Sequence, residues 1–255
     1  MRSIRFLLPT ALLAPAALIL AGGLPLQAAS QDSRIESTIK NSYNFKTYLS
    51  HDDISVKSVH GVVTLSGTVT ADYNKELAGE TAEDTSGVSS VKNELQVKDG
   101  QPAENSDGWI TTKVKGALAF HKNVSAAHTE VETNGGVVTL KGVAATSAQK
   151  ELTTAYAKDV EGVKDVNNQM SVSGVKPHET IGGKVDDASI TAQVKTSLLF
   201  HRSTHSIATK VTTKNGVVTL TGEAKNGAEK DLVGKLAKDI HGVKRVVNHM
   251  SIQKS

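Results

Sequence analysis

Histidine is the side chain of this sequence best suited to bind a metal or to act as an acid or base, and the chain has nine. His201 and His205 are four residues apart, the spacing that places two ligands on one face of a helix. The apolar run that ends at Phe200 indicates that a helix stops just before them, so we expect both in a loop. The glutamate of an H-E-x-x-H motif is missing, and a further ligand is not evident. We therefore predict satisfied or solvated surface histidines and no metal site.

Other catalytic arrangements are also missing from the sequence. Without cysteine there is no disulfide, no thiolate zinc site, no cysteine nucleophile and no cysteine for lipid attachment. The Gly-x-Ser-x-Gly elbow of a serine hydrolase does not occur. The carboxylate pairs Asp52–Asp53 and Glu83–Asp84 are typical of solvated charge. We predict a protein that is not an enzyme and has no cofactor; an enzyme or metal protein based on His201 and His205 is the weaker hypothesis.

Residues 1–29 have the pattern of a secretory signal peptide. Arg2 and Arg5 precede an almost wholly apolar run, and small residues at Ala28 and Ala29 suit cleavage. A membrane anchor is the alternative, but the run is shorter than the roughly 20 residues that a spanning helix needs. We predict export of a soluble protein, with the peptide removed near Ala28 or Ala29.

Internal repetition is the strongest feature of the sequence. The string Gly-Val-Val-Thr-Leu begins at Gly61, Gly136 and Gly216, with offsets of 75 and 80 residues. Because the same two offsets hold throughout each copy, the copies align without gaps. The predicted divisions are a signal peptide at 1–29, domains at 32–98, 107–173 and 187–253, and linkers at 99–106 and 174–186.

Each copy contains the same predicted order of helices and strands. Asp107 precedes apolar residues at helical spacing, which predicts an aspartate-capped amphipathic helix, and Asp32 and Asp187 begin the same pattern. An alternating stretch, a glycine turn and the Val-Val-Thr-Leu segment then predict a β-hairpin. A second amphipathic helix and an alternating strand complete the order of helix, strand, strand, helix, strand.

Glycines recur at the turns and strand ends of the three copies, and we predict a structural role for them. They are Gly61, Gly67, Gly87, Gly136, Gly142, Gly162, Gly216, Gly222 and Gly242. The hairpin positions suit positive φ, and the positions equivalent to Gly67 mark where a strand ends or bulges. Because neither G-x-G-x-x-G nor G-K-[ST] is present, we do not predict a phosphate-binding loop.

The strings Gly-Val-Val-Thr-Leu-x-Gly and Gly-Val-x-x-Val-x-Asn, on this order of elements, resemble the BON domain. The chain is similar to osmotically inducible periplasmic proteins built from tandem BON domains, whose common members carry two copies. The resemblance implies an α/β fold, with two helices packed on a three-stranded mixed sheet in each copy. It also implies a periplasmic location, phospholipid binding at an envelope membrane under stress, and no catalytic residues. The missing cysteine places the chain with the soluble branch and not with the lipoproteins.

Charge is distributed unevenly, with net values of −3, 0 and +5 for the first, second and third copies. Such asymmetry indicates a directed electrostatic face. Near an anionic leaflet each well-placed cation contributes about 1 kcal/mol. The alternative is ordinary mixed charge on a solvated helix, as in the pair Asp231 and Lys235. The candidate lipid-binding cations of the third copy are Lys230, Lys235, Lys238, Lys244 and Arg245.

Trp109 is a second candidate for lipid contact. Its neighbour Ile110 takes the core position, so we expect an exposed indole at the start of a helix, with Lys113 one turn later. An exposed tryptophan beside a cation suits a membrane interface. It suits packing against a neighbouring domain equally well.

These observations predict a non-enzymatic periplasmic protein that binds phospholipid and supports envelope integrity under osmotic or other stress. Its partner would be an anionic phospholipid membrane surface, contacted by several cations and an apolar side chain. The alternative is a periplasmic protein-binding or chaperone-like module whose partners are other envelope proteins. Export and near-neutral charge disfavour nucleic acid.

Overall fold

The computed structural model describes residues 24–124, 126–174, 184–204 and 207–253. It contains three α/β units of the same order, and unit 1 has one additional short helix. Unit 1 comprises α1 (Leu24–Asn41), α2 (Tyr43–Thr47), β1 (Asp53–Val59), β2 (Val62–Val69), α3 (Asp72–Glu83), β3 (Ser90–Asn93) and β4 (Gln96–Val97). Unit 2 comprises α4 (Asp107–Ala119), β5 (Thr129–Asn134), β6 (Val137–Ala144), α5 (Ser147–Lys158), β7 (Asp165–Asn168) and β8 (Ser171–Val172). Unit 3 comprises α6 (Asp187–Phe200), β9 (Thr209–Lys214), β10 (Val217–Ala224), α7 (Gly227–Lys238), β11 (Arg245–Asn248) and β12 (Ser251–Ile252).

Each unit has one mixed sheet with the second hairpin strand at its centre. In unit 3, β10 pairs with β9 in antiparallel and with β11 and β12 in parallel. The last strand of every unit is thus broken into two short segments along the same central strand. Val218 and Leu220 of β10 are fully buried, whereas the alternate residues Thr219 and Thr221 are only partly covered. The helices therefore cover one face of the sheet, and the predicted α/β fold is confirmed.

The aspartate that recurs at the start of each copy has a different role from the predicted one of capping the first helix. The caps of α4 and α6 are Ser106 and Asp186, one residue earlier, and α1 begins well before Asp32. Asp107 instead accepts hydrogen bonds of 2.8 and 2.9 Å from the backbone amides of the hairpin turn. Asp187 bonds the equivalent turn at 2.6 and 2.8 Å. These amides lower the pKa of Asp107, and the aspartates tie the first helix to the hairpin.

The nine predicted glycines all have positive φ. Three of them, Gly67, Gly142 and Gly222, do not end their strands. Strand β6 continues for two residues past Gly142, and β2 and β10 behave alike. A Cβ at Gly142 would lie 1.9 Å from the carbonyl oxygen of His128, the residue just before β5. Of the two predicted alternatives, a strand end or a bulge, the strand end was therefore wrong, and close approach of two backbones explains the glycine.

The three units share their hydrophobic cores. Helix α6 contacts α3 of unit 1 and α4 of unit 2 as well as its own unit, and most of its residues are buried. Phe120 of unit 2 belongs to the core cluster of units 1 and 3, and its counterpart Phe200 belongs to the core of unit 2. At the junction with unit 1, Asn44 bonds Ser189 and Gln193 of α6. The molecule is one packed body with α6 at its centre.

The predicted signal peptide and second linker lie largely outside the described residues. Residues 1–23 and 175–183 belong to those segments, and residues 24–29 open α1. In the part of the chain described, no helix combines the length and the apolar character required to cross a bilayer.

Candidate functional site

The basic residues of unit 3 concentrate at the end of its sheet that carries the hairpin turn. Val217 of β10 is the partner of both Lys214 on β9 and Arg245 on β11, so these two cations flank the same central residue. The Nζ of Lys244 donates a 3.1 Å hydrogen bond to the turn carbonyl of Asn215. Because Lys214, Lys244 and Arg245 are all exposed, they present three positive charges over one small area. We call these three residues the basic end of unit 3.

Helix α7 places further cations at the same end of the unit, but in the helical layer and not on the sheet. Lys235 and Lys238 lie in its last turn, and the chain passes from there directly to the start of β11. Both side chains are exposed, while Val233 on the opposite side of the helix is fully buried. Arg245, by contrast, neighbours the inward Val246 on β11 and so faces away from the helices. Cations also stabilise a helix C-terminus through its dipole, which gives the two lysines a structural role as well.

Lys230 does not join this group. It lies in the first half of α7, is partly buried, and its carbonyl accepts a hydrogen bond from Asn248 at the far end of β11. The structure thus divides the five predicted cations of unit 3 into four at one end and one apart.

The equivalent ends of the other units lack this charge. In unit 2 the positions of the basic end are taken by Asn134, Lys164 and Asp165. In unit 1 they are taken by Val59, Ser89 and Ser90. Since the backbone is the same in all three, the positive end is a property of unit 3 alone among the units.

Trp109 is half-buried, whereas we expected it exposed. It packs on the core of unit 2, and its ring carbon lies 3.7 Å from where a Cβ on Gly162 would be. The Nζ of Lys113 lies 4.6 Å from the indole centre and 5.2 Å from the ring centre of Phe200 in unit 3. Lys113 therefore bridges aromatic rings of two units through cation–π contacts.

Trp109 and the basic end of unit 3 are well separated. Trp109 lies in the first turn of α4, while the far end of α4 leads to His121, which pairs with Ile240 beyond the C-terminus of α7. At 1.5 Å per residue, the part of α4 from Trp109 to its end at Ala119 spans about 15 Å. The structure therefore does not assemble the predicted lipid-binding residues into one site.

His121 and His201 meet at the contact between units 2 and 3 instead of lying in solvent. Their Nε2 atoms are 3.3 Å apart, and both side chains are fully buried. Each ring directs Nδ1 to an aspartate of the other unit at 3.3 Å, His121 to Asp239 and His201 to Asp159. The arrangement is nearly two-fold symmetric, because equivalent residues exchange equivalent contacts. Among the described residues no three potential ligands gather as a metal site would require, and His205 lies outside them.

Burial and hydrogen bonds shift the pKa values of His121 and of Asp159 beside this histidine pair. Burial lowers the pKa of His121, although Asp239 acts in the opposite direction. A neutral His121 can point Nδ1–H at Asp239 while Nε2 accepts from Ser197, whose Oγ is 2.9 Å away. Burial alone would raise the pKa of Asp159, but its contacts with His201 and Ser203 together outweigh burial and lower it. The pair is thus a buried polar contact that holds two units together.

These features were only partly visible in the sequence. The matching positions of His121 and His201 are evident from the 80-residue offset, but nothing in the sequence places them against each other. Lys214 belongs to the ten basic residues that give the third copy its positive charge but was not singled out as a candidate site residue, although its position next to the Asn-Gly turn is the signal that could have selected it.

The fold and the repeated hairpin define a protein of three small α/β repeats. Comparison with models of known protein families identifies the family to which these repeats belong. The BON domain model matches residues 31–99, 106–174 and 186–254, so the chain belongs to the BON domain family. The resemblance inferred from the glycine and valine strings is confirmed.

Two curated relatives match more than half of the chain. The chain is 37% identical over 144 residues to osmotically-inducible protein Y of Escherichia coli (strain K12), covering 56% of this chain and 71% of that protein. It is 30% identical over 142 residues to outer membrane lipoprotein DolP of Haemophilus influenzae, covering 55% and 72%. Among solved structures, the C-terminal domain of CdsD of the Chlamydia trachomatis type III secretion system matches 86% of this chain and 96% of its own at 16% identity. Its TM-score of 0.22 is too low to support any conclusion about this protein.

Proposed function

We propose that this protein is a non-enzymatic periplasmic protein that adsorbs to anionic phospholipid membranes and supports the envelope under osmotic stress. The observation that carries the proposal is the basic end of unit 3, where Lys214, Lys244 and Arg245 lie together on an exposed surface. The relatives support the setting, since one is named as osmotically inducible and another as an outer membrane lipoprotein.

Adsorption through this surface would be reversible. Each cation near an anionic leaflet contributes about 1 kcal/mol, so the three residues of the basic end contribute about 3 kcal/mol before salt screening. Lys235 and Lys238 at the same end would add to this when the unit tilts toward the membrane. Because screening acts within about 10 Å at 0.1 M salt, binding should weaken strongly as salt rises.

Vesicle sedimentation tests the proposal directly. The purified protein is mixed with vesicles of phosphatidylcholine alone or with phosphatidylglycerol added, at low and high salt. We expect it to sediment only with the anionic vesicles and only at low salt. Sedimentation with neither vesicle would overturn the proposal and leave a protein-binding module as the function to test, beginning with Trp109.

A further inference from the structure

Units 2 and 3 each contain a crevice between the first helix and the first strand, and α3 of unit 1 forms the other wall of both. The two cavities are alike in size, about 280 Å³ in unit 2 and about 270 Å³ in unit 3. Their shared lining consists of pairs related by the 80-residue offset: Lys115 and Lys195, Leu118 and Leu198, Ala119 and Leu199, Thr129 and Thr209, and Val131 and Val211.

In the crevice of unit 3 the lysine is neutralised by unit 1. The Nζ of Lys195 lies 2.9 Å from Glu80 Oε2 and 3.0 Å from Asp84 Oδ2. Glu76 of the same helix also lines this cavity. Burial acts to lower the pKa of Lys195, but the two carboxylates outweigh it and raise it. This crevice therefore offers no free positive charge to a ligand.

In the crevice of unit 2 the wall from unit 1 is aromatic and not acidic. It consists of Tyr48, Tyr73 and Asn74, and the amide of Asn74 is already bonded to Asp52. Lys115 is exposed at this cavity, and no described carboxylate forms an ion pair with it. The crevice of unit 2 thus combines apolar walls with an unneutralised cation.

We propose that the crevice of unit 2 binds a small single-chain amphiphile with a carboxylate head. Lys115 would hold the carboxylate, and Tyr48, Tyr73, Leu118 and Val131 would enclose the apolar chain. An anion fits because Lys115, exposed at this crevice, forms no ion pair with a described carboxylate, and an apolar tail fits because Leu118 and Val131 give the crevice buried apolar walls. Its volume lies just below the range of about 300–1,000 Å³ for typical ligand pockets, so the tail is a single short chain. This site is separate from the basic end of unit 3.

Titration with octanoate, followed by the backbone amide resonances of Ala119 and Val131, tests the site. 1-Octanol, with the same chain and no charge, is the matched ligand. We expect octanoate to shift these resonances at lower concentration than octanol. The Lys115→Gln variant should weaken octanoate binding about tenfold, the loss typical of one hydrogen bond to a charged group, and leave octanol binding unchanged.

Two further variants keep the test decisive. Lys225→Gln removes an exposed charge far from the crevice and should leave octanoate binding intact. The combined change of Lys214, Lys244 and Arg245 to Gln should also leave it intact, which separates this site from the proposed membrane surface. Equal binding of octanoate and octanol, an unchanged affinity in Lys115→Gln, or shifts confined to other parts of the chain would each overturn the proposal.

Discussion

Single residues gain their roles here from the partner that the fold places opposite them. Unit 1 has no histidine at the position of His121, because Lys46 takes that position. His121 nevertheless lies at the centre of the contact between units 2 and 3. The ring of Tyr156 packs 4.3 Å from that of His121, and its hydroxyl donates to Asp239 at 2.9 Å. A polar cluster buried this well stabilises the interface only while its protonation matches its hydrogen bonds.

Acid should therefore weaken the contact between units 2 and 3. Burial lowers the pKa of His121 from its ordinary 6.5. Below pH 6.5 the unfolded chain therefore binds a proton at this histidine that the folded chain does not bind, and the free energy of unfolding falls as the pH falls. The groups facing the ring are Asp239, His201, His241, Tyr156 and Ser197. We expect the melting temperature to fall between pH 7.5 and pH 5.

The variant His121→Asn keeps an amide near the position of Nδ1 but cannot titrate. It should be less stable at pH 7.5 and should lose less stability on acidification than the natural protein. His249→Asn, which removes an exposed histidine, is the control and should keep the full pH dependence. An undiminished pH dependence in His121→Asn would contradict the assignment.

At the scale of the element, the hairpin is held by contacts to the backbone, and side-chain patterns do not reveal them. The alternation of apolar residues was sufficient to predict the order of the two main helices and the strands in each unit, but not the short helix α2 or the break in each last strand. It was not sufficient to explain Asp107, which looks like a helix cap by position but bonds two amides of a turn 28 and 29 residues later. Likewise Gly142 looked like a strand end, because the sequence does not show how closely two backbones approach.

Replacing Gly142 by alanine should destabilise the protein by about 3 kcal/mol or more, since positive φ and a backbone clash add together. The added Cβ would lie 1.9 Å from a carbonyl oxygen that cannot move aside. Gly135→Ala is the matched control, because Gly135 also has positive φ but has open space around its Cβ position. Its cost should stay near 1 kcal/mol, about the strain of φ alone. Urea unfolding measures both, and equal losses would rule out the clash as the cause.

At the scale of the whole molecule, the three repeats pack against one another and are not independent domains joined by linkers. Their number followed from the constant offsets in the sequence, but their packing did not, because the exchanged aromatic residues Phe120 and Phe200 look like ordinary core positions of their own units. The separation of Trp109 from the basic end of unit 3 has the same origin. Which surfaces face each other depends on contacts between units, and a repeat pattern contains no information on those.

A shared core predicts cooperative unfolding of the three units. We expect a single transition in calorimetry, with equal calorimetric and van't Hoff enthalpies. Phe200→Ala should cost about 3–5 kcal/mol, as for other large-to-small changes of a buried aromatic residue. It should lower the stability of unit 2 as well as unit 3, because Phe200 lies in the core of unit 2. Amide hydrogen exchange that affected unit 3 alone would contradict a shared core.

The central claim, that the basic end of unit 3 contacts anionic membrane, is tested most directly by two variants of equal charge. One changes Lys214, Lys244 and Arg245 to Gln, and the other changes the exposed Lys57, Lys92 and Lys98 of unit 1. Both remove three positive charges, so any difference between them reports position and not net charge. We predict that sedimentation with phosphatidylglycerol vesicles at low salt is lost in the first variant and kept in the second. Equal loss in both, or full binding by the first, would contradict the account.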